Sequence, residues 1–401
     1  MSEQAVAEEL DRDVMAERHL HKIMVLFNMP VGWSNLQMSL AMLLLAMLCG
    51  AVWLLLDSNL TLALLVVGMQ LLFFLGDVII LLVLPRMRIS YGPWPAQFFP
   101  LAILRTLATI TLGVVAVLTG FTWAFIIALL IQLFGTTALI WGAVIEPAKL
   151  QVTTLEIRST RLQPDTNPIR ILHISDLHIE RLSRREDTIL RFIETSQPEL
   201  IVLTGDYVNL SYNRDPETYR QVTEFLGQLS APYGVFATPG TPTVDVRENL
   251  IPMFDDLPLT LMFNQSQVLT LGEGQQIALL GLDCTHHVAK DAAVLREVIK
   301  QVPSDLPQIL LYHSPELMPQ ATEQEIDLYL CGHTHGGQVR LPIIGPLLTS
   351  SHLGRKYVMG LYRDGRTNLY VSRGVGLEGL SAPRVRLLAR PEITLVTLRP
   401  A

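Results

Sequence analysis

Cysteine and charge are both scarce in this 401-residue chain. The three cysteines, Cys49, Cys284 and Cys331, lie far apart, and no C-x-x-C pair occurs. This spacing argues against a disulfide framework and a cysteine-rich zinc site, and it fits a reducing compartment. Charged residues make up 17% of the chain and hydrophobic residues 50%, which is too apolar for an ordinary soluble protein. The formal net charge of -7 argues against nucleic acid as a partner.

The hydrophobic excess is concentrated in residues 36–146. This region holds four nearly uncharged apolar runs, at residues 38–56, 60–84, 106–119 and 123–145, and residues 101–104 can lengthen the third. Most of these runs approach the length that an α-helix needs to cross a bilayer. The sequence therefore predicts an α-helical transmembrane domain of about four spans.

Positive charge in the flanking loops predicts the orientation, because cytoplasmic loops carry an excess of Lys and Arg. These residues are absent from the turns at 57–59 and 120–122 and occur in the other flanks, at Arg12, Arg18, Lys22, Arg86, Arg88, Arg105, Lys149, Arg158 and Arg161. With four spans, we expect a multi-pass protein of the inner (plasma) membrane with both termini and the C-terminal domain in the cytoplasm. Three spans would move that domain across the membrane.

Two features of the N-terminal half leave alternatives open. Residues 1–35 are predicted to be a cytoplasmic segment, in which residues 3–27 form either an amphipathic surface helix or a solvated helical lead-in. Asp77 interrupts the second apolar run. A carboxylate within a span marks a functional site, pairs with a cation such as Arg105, or reaches water near the helix end. We favour the last two explanations.

Residues 150–401 alternate between strand-like and helix-like segments. Strands are predicted at residues 150–157, 169–174, 200–204, 234–238, 276–282, 308–312, 328–331, 368–372 and 393–398, and helices at residues 185–195, 217–229 and 292–300. This alternation predicts a layered α/β domain. In such folds ligands gather at the carboxyl ends of the strands.

Four of the predicted strands deliver Asp or His at or just past their ends. These residues are Asp176 and His178 after the strand at 169–174, Asp206 after 200–204, His313 after 308–312, and His333 and His335 after 328–331. Core packing does not require them, because buried carboxylates and imidazoles are unfavourable unless they are paired or bound to metal. Glycines flank the His333/His335 pair and permit backbone angles that other residues avoid. We therefore predict a metal-binding site at these strand ends.

The predicted ligands are oxygen and nitrogen atoms without a thiolate, which suits Mn²⁺, Fe or Zn²⁺. Six ligands exceed the needs of one tetrahedral ion, so two divalent transition metal ions that share a bridging carboxylate are expected. A metal pair about 4 Å apart lowers the pKa of a shared water and clamps the oxygens of an in-line displacement at phosphorus.

The ordered pattern D-x-H, G-D, a strand-end His and G-H-x-H resembles the signature of the calcineurin-like metallophosphoesterases. The extended G-H-T-H-G-G-Q, with His313-Ser314-Pro315 upstream, resembles the membrane-associated, YkuE- and YaeI-like branch. The likeness covers about residues 150–399. It implies a four-layer α-β-β-α sandwich over residues 150–401, with the dimetal site at one edge of the sheets.

The resemblance also implies a role for each predicted ligand. The first metal would be held by Asp176, His178 and His335, and the second by His313 and His333. Asp206 would bridge the two.

One family motif is missing from the sequence. After the strand at 234–238 the family places G-N-H-[DE], whereas this chain has Gly240-Thr241-Pro242-Thr243. The absent Asn would ligate the second metal, and the absent His would assist the leaving group. His286, His287 and Asp245 are candidates for replacing that histidine, although each also fits an ordinary loop residue.

These observations predict a membrane-anchored phosphoesterase that hydrolyses a phosphomonoester or phosphodiester with metal-activated water. A phospholipid or a lipid-linked diphosphate is the leading substrate class, because the domain is tethered beside the bilayer. The alternative is a metal-binding but catalytically impaired pseudo-phosphoesterase that acts as a membrane regulator. Arg384 and Arg386 fit either phosphate contacts or a solvated strand edge.

Overall fold

The structure is a computed structural model that describes residues 19–401, so most of the predicted amphipathic segment lies outside the described residues. Two compact units are present. The helical unit comprises residues 19–145 and 379–385, and the α/β unit comprises residues 146–378 and 386–401.

The helical unit contains four helices that are long and apolar enough to cross a membrane, as the sequence predicts. Its helices are α1 His19–Asn28, α2 Asn35–Asp57, α3 Leu60–Val83, α4 Trp94–Thr119 and α5 Phe121–Ile140, and a π-helical turn Trp141–Ile145 follows α5. Ser34 caps α2 in a capping box with Gln37. Gly120, at φ +91°, separates α4 from α5.

Helix α4 begins at Trp94, well before the apolar run predicted at residue 106. Pro93 precedes the helix, and a proline lies in its first turn, where its missing N–H is not needed. The charge of Arg105 lowers the hydropathy of this stretch, so the apolar pattern did not identify it as part of a spanning helix. Its guanidinium is neutralised by Asp77: Nε lies 2.7 Å from Oδ2 and Nη2 lies 2.7 Å from Oδ1. This pair confirms the hypothesis that Asp77 pairs with Arg105.

Further polar side chains surround this ion pair inside the helical unit. Arg105 Nη1 donates to the side-chain oxygen of Gln132 at 2.6 Å, and Nη2 donates to Thr136 at 2.8 Å. Gln132 in turn donates to Thr109 at 3.0 Å. The hydrogen bonds of the Arg105 guanidinium therefore connect α4 to α3 and α5 inside the helical unit.

The segment Gly379–Val385 groups with the helices although it comes late in the chain. The Ser381 hydroxyl donates to the Met24 carbonyl at 2.7 Å, and the Arg384 backbone N–H donates to the Gln97 side-chain oxygen at 3.2 Å. Arg384 is buried in this segment, so it does not lie on a solvated strand edge.

The α/β unit contains two six-stranded sheets. The first has the order β1-β14-β2-β3-β4-β5, with β1 Gln151–Ser159, β2 Ile169–Ile174, β3 Leu200–Thr204, β4 Val235–Thr238, β5 Thr260–Leu261 and β14 Glu392–Pro400. The second has the order β12-β13-β9-β8-β7-β6, with β6 Gln265–Thr270, β7 Gln276–Gly281, β8 Gln308–Leu311, β9 Leu328–Cys331, β12 Gly360–Asp364 and β13 Thr367–Val371. The ligand-bearing strands β2 and β3 are parallel to each other, as are β8 and β9, so their carboxyl ends meet at common edges.

Three hydrophobic cores divide this unit into four layers. One core packs the first sheet against helices α6 Arg184–Ser196, α7 Pro216–Leu226 and α8 Arg247–Asp255. A second core lies between the two sheets. The third packs the second sheet against α9 Val288–Ile299 and α10 Met318–Glu323. The predicted α-β-β-α sandwich is therefore confirmed.

The sequence pattern missed the short or exposed elements. The edge strands β5, β6 and β12 and the hairpin strands β10 Arg340–Leu341 and β11 Gly345–Pro346 went unpredicted. They are brief, or their side chains are largely exposed, so they lack the continuous apolar run that identifies a buried parallel strand.

Candidate metal centre

All six predicted ligands are buried at the carboxyl ends of four strands. Asp176 and His178 follow β2, Asp206 follows β3, His313 follows β8, and His333 and His335 follow β9. The structure gathers them into two groups, in each of which the ligand atoms lie within 4.8 Å of one another. These groups are Asp176, His178 and His335 (the first cluster) and Asp206, His313 and His333 (the second cluster).

Nitrogen and carboxylate atoms converge in the first cluster. His178 Nε2 lies 3.0 Å from His335 Nε2, and His335 Nε2 lies 3.6 Å from Asp176 Oδ1. Two imidazole nitrogens that face each other this closely, beside a carboxylate, form the donor set that a divalent cation needs.

Asp206 connects the two clusters. Its Oδ2 lies 3.2 Å from His313 Nε2 in the second cluster and 3.5 Å from His178 Nε2 in the first. The rings of His313 and His333 lie with centroids 5.1 Å apart. A single carboxylate oxygen of Asp206 therefore lies within 3.5 Å of an imidazole nitrogen of each cluster.

Backbone strain marks the same positions. Five of the six ligands have left-handed backbone angles, namely Asp176 (φ 53°), His178 (φ 42°), Asp206 (φ 56°), His333 (φ 70°) and His335 (φ 51°). Non-glycine residues adopt this conformation rarely, at about 1 kcal/mol or more each, and such residues cluster at functional sites. The strand-to-loop turns thus hold these side chains in orientations that regular structure does not provide.

Hydrogen bonds fix the remaining atoms of the ligands. His313 Nδ1 contacts the Thr204 carbonyl at 2.7 Å, which leaves Nε2 to face Asp206. The backbone N–H of His333 donates to Asp176 Oδ1 at 2.9 Å. The backbone N–H of Thr241 donates to Asp206 Oδ1 at 2.7 Å. Each of these contacts orients a ligand before any ion binds.

Glycine permits the closest approaches to the first cluster. A Cβ on Gly332 would lie 2.0 Å from Asp176 Oδ2, and a Cβ on Gly374 would lie 2.5 Å from the Asp176 Cβ. Any other residue at these two positions would push Asp176 out of place.

The electrostatics of the centre are those of a cation site. Burial raises the pKa of Asp206, but the charges of His313 and His178 outweigh burial and hold its pKa well below the usual range. Burial lowers the pKa of His333 and His335, and the neighbouring imidazoles lower both further. Burial opposes protonation of His313, whereas Asp206 raises its pKa to about 9.

Unsatisfied polar atoms support the fit to metal. Within the described residues 19–401, the buried atoms Asp176 Oδ2, His178 Nδ1, His313 Nε2 and His333 Nε2 have no hydrogen-bond partner. Buried polar atoms normally find partners, and orphaned ones mark an ion, a ligand or a reactive group. A mixed set of carboxylate and imidazole donors fits divalent transition metals.

Thr241 occupies the position where the family pattern has Asn. Its hydroxyl lies 3.4 Å from His286 Nε2. The His286 ring lies with its centroid 4.6 Å from that of His333 in the second cluster. The side chain that faces the gap is therefore a histidine from the loop after β7.

His286 is held from behind by a buried carboxylate. Its Nδ1 lies 3.2 Å from Glu316 Oε2, and Glu316 Oε1 accepts the backbone N–H of His352 at 2.8 Å. Burial opposes ionisation of Glu316, but the hydrogen bond and charge of His286 together hold its pKa well below the usual range. A carboxylate behind an imidazole is the arrangement that orients metal-binding histidines.

The other two candidates for the missing histidine do not face the centre. Asp245 Oδ2 accepts hydrogen bonds from the backbone N–H groups of Asp206 and Gly240, both at 2.8 Å. It therefore connects the loop after β3 to the loop after β4. His287 immediately precedes α9 and is partly exposed.

Arg386 is a structural contributor that the sequence left ambiguous. The side chain is fully buried, donates to the Gly374 carbonyl at 3.1 Å and the Gly376 carbonyl at 2.6 Å, and has Nη2 at 3.3 Å from His335 Nδ1. Burial lowers its pKa to about 9. The arginine thus holds the glycine loop that packs on Asp176.

Comparison with known proteins agrees with this architecture. The family model for calcineurin-like phosphoesterases matches residues 169–337, which contain all six candidate ligands. YkuE of Bacillus subtilis, described as an uncharacterized metallophosphoesterase, is 32% identical over 265 residues, covering 64% of this chain and 87% of its own.

Two further relatives show the same pattern. The phosphodiesterase YaeI of Escherichia coli is 32% identical over 242 residues, covering 58% of this chain and 82% of its own. A Bos taurus transmembrane protein with a metallophosphoesterase domain is 29% identical, covering 62% of this chain and 57% of its own. With its four apolar helices and two clusters of buried Asp and His, the chain belongs to the calcineurin-like metallophosphoesterase family.

Proposed function

We propose that this protein is a membrane-anchored, metal-dependent phosphoesterase that uses two divalent cations to hydrolyse a phosphomonoester or phosphodiester. The observation that carries the proposal is the placement of Asp206, whose Oδ2 lies within 3.5 Å of His178 in one cluster and 3.2 Å of His313 in the other. A carboxylate shared by two adjacent sites is the arrangement that a two-metal displacement at phosphorus requires.

Two bound cations would supply an activated water and neutralise charge that develops at phosphorus. The protein holds and orients the reacting groups. Asp176, His178 and His335 form one site, and Asp206, His313 and His333 form the other. Because five of these side chains stand on strained turns, their positions are set before substrate binds.

His286 takes the place of the missing Asn as the fourth side chain of the second site. Glu316 Oε2 faces Nδ1 at 3.2 Å, which leaves Nε2, at 3.4 Å from the Thr241 hydroxyl, to bind an ion at the second site. A threonine hydroxyl alone is a poor ligand for these ions. A histidine with a carboxylate behind it is a good one.

A phosphorylated lipid or lipid-linked diphosphate is the proposed substrate class, and the α/β unit is proposed to be cytoplasmic. The four apolar helices support a membrane anchor for this unit, and the excess of Lys and Arg in the flanks supports the inner side. A reporter fused after Ala401 tests the orientation. An extracytoplasmic signal would contradict it.

The activity is tested with the full chain in detergent, Mn²⁺ and bis(p-nitrophenyl) phosphate. We expect hydrolysis by the wild type and a loss of about 100-fold or more in Asp206→Asn, because both sites lose their shared carboxylate. Asp364→Asn makes the same change in charge at an exposed turn and serves as the matched control. Equal rates in wild type and Asp206→Asn would refute the site.

The absence of Asn and His from the Gly240-Thr241-Pro242-Thr243 segment favours one second candidate, a metal-binding regulator without catalysis. Metal analysis of the full chain distinguishes the two functions when it is combined with the activity assay. Two ions per chain with hydrolysis support the enzyme, whereas bound ions without hydrolysis of any phosphoester support the regulator.

A further inference from the structure

An exposed apolar hairpin follows the metal-binding turn directly. We define the apolar hairpin as residues 341–348, which include strand β11 and the end of β10. Ile343 is as exposed as in an extended peptide, at 107%, and Leu341, Ile344, Leu347 and Leu348 are 36–60% exposed. Soluble domains rarely place so many large apolar side chains together in water, and such patches mark interaction sites.

The hairpin is an ordered structure. The Leu347 N–H donates to the Val339 carbonyl at 3.1 Å, and the Arg355 guanidinium donates to the Ile344 carbonyl at 3.0 Å. The Arg340 guanidinium donates to the Gly336 carbonyl at 2.8 Å. These contacts fix the tip in space, so its exposure is a property of the folded unit.

Further contacts connect the hairpin and the residues that follow it to the turn that carries His333 and His335. The Ser350 hydroxyl donates to the His333 carbonyl at 2.8 Å. A Cβ on Gly337 would lie 2.2 Å from the Pro346 Cβ, so the turn after His335 packs directly against the hairpin. Whatever the tip contacts is therefore held at a fixed distance from the metal ligands.

In the sequence, the charged residues near the hairpin have one sign. Residues 328–363 contain no Asp or Glu, and their charged side chains are Arg340, Arg355, Lys356 and Arg363. An apolar tip flanked by basic residues is typical of an element that enters a membrane interface. Its cations then lie at the level of the anionic headgroups.

We infer that the apolar hairpin inserts into the bilayer to which the chain is anchored and brings phosphate headgroups of lipids to the metal centre. This inference rests on the proposed function and names its substrate as a phosphoester carried by a lipid. The occupant is a bilayer because the same chain carries four apolar helices, so a membrane is always within reach.

The dimensions are compatible with this role. The chain from Val339 to the tip at Ile343 reaches at most about 13 Å, at roughly 3.3 Å per residue. Interfacial elements enter a bilayer by about 5–10 Å. With the tip at that depth, the base of the hairpin and the adjoining metal turn lie at the level of the headgroups.

The first experiment locates the tip. The full chain is reconstituted into nanodiscs of phosphatidylethanolamine and phosphatidylglycerol that contain a nitroxide-labelled lipid, and a fluorophore is attached at Ile343→Cys. The three native cysteines are buried, which limits background labelling. The control is Asp364→Cys on the polar β12–β13 turn. We expect strong quenching at position 343 and weak quenching at 364.

Equal quenching at the two positions would overturn the inference. Emission at position 343 that responds to the number of chains per disc, without quenching by the labelled lipid, would also overturn it, because the partner would then be a second copy of the chain.

The second experiment connects insertion to catalysis. In Ile343→Ser/Ile344→Ser we expect KM for a phospholipid substrate in the same discs to rise about tenfold, with kcat for soluble bis(p-nitrophenyl) phosphate unchanged. An unchanged KM for the lipid would overturn the role in catalysis. Quenching without hydrolysis of either substrate by the wild type would refute the proposed enzyme but leave the insertion standing.

Discussion

Glu316 Oε2 lies 3.2 Å from Nδ1 of His286, and both side chains are buried beside the second cluster. The two residues come from different loops, 30 positions apart in the chain. Their pairing gives the centre an oriented imidazole at the point where the family motif is absent.

Replacing His286 should weaken the second metal site. We expect His286→Ala to lower the affinity for the second Mn²⁺ about 10- to 100-fold, because the site loses a ligand with its supporting carboxylate. Isothermal titration of the full chain measures both affinities. Thr241→Asn in the His286→Ala background restores the family ligand and should recover most of the lost affinity.

An unchanged second affinity in His286→Ala would show that this residue is not a ligand. That result would leave the dimetal proposal itself intact, since Asp206→Asn tests that separately.

Replacing Arg386 should destabilise the α/β unit. Arg386→Met leaves the buried Gly376 carbonyl without its donor, at about 1–3 kcal/mol, whereas the Gly374 carbonyl keeps the Glu392 N–H. We expect a fall of several degrees in the thermal unfolding midpoint and weaker binding at the first cluster. Arg366→Met, at a largely exposed ion pair with Glu325, is the matched control and should change the midpoint little. Equal midpoints for the two variants would contradict the assigned role.

The ion pair in the helical unit should show strong coupling. Asp77→Leu alone leaves the Arg105 guanidinium buried without its carboxylate and should cost about 3–5 kcal/mol. Asp77→Leu/Arg105→Met removes both charges and should recover most of that loss. Size-exclusion chromatography of heated, detergent-solubilised protein measures the surviving fraction. A double variant as unstable as the single one would exclude this coupling.

Stability should fall in acid through His173 on β2. Burial lowers the pKa of His173 to about 3, whereas an unfolded histidine titrates near 6.5. Below pH 6.5 the unfolded chain therefore binds a proton at this residue that the folded chain does not bind. The free energy of unfolding falls by about 1.4 kcal/mol per pH unit as a result.

His173→Gln keeps a polar atom near Thr204, which His173 Nε2 contacts at 2.8 Å, and removes the titration. We expect its unfolding midpoint to fall less than that of the wild type between pH 7.5 and pH 5. A chelator in both samples removes the contribution of metal release. Identical pH profiles would show that His173 does not titrate on unfolding.

Sequence patterns anticipated the parts of the fold that rest on local rules. Continuous apolar runs identified β2, β3, β8 and β9, and the polar residues after them identified the six candidate ligands, because parallel strands present their carboxyl ends together. Hydropathy likewise found the four long helices.

Features that depend on tertiary contact were not predictable. No spacing connects Thr241, His286 and Glu316, which meet only when three separate loops fold together. The start of α4 was missed because Pro95, Pro100 and Arg105 interrupt the apolar run, although the pairing of Arg105 with Asp77 was among the hypotheses. In the sequence Arg386 fitted either a phosphate contact or a solvated strand edge, and only the folded structure shows that it is buried against the glycine loop.

The left-handed backbone angles at five of the six candidate ligands lower the stability of the fold while they orient the side chains for metal binding. Each of these residues is strained in every folded molecule, and glycine would adopt the same angles without that strain. His335→Gly should therefore bind metal more weakly than the wild type, and with both proteins in chelator it should unfold at the higher temperature. Persistence of side chains at these five turns is what selection for the bound ion, rather than for the fold, would produce.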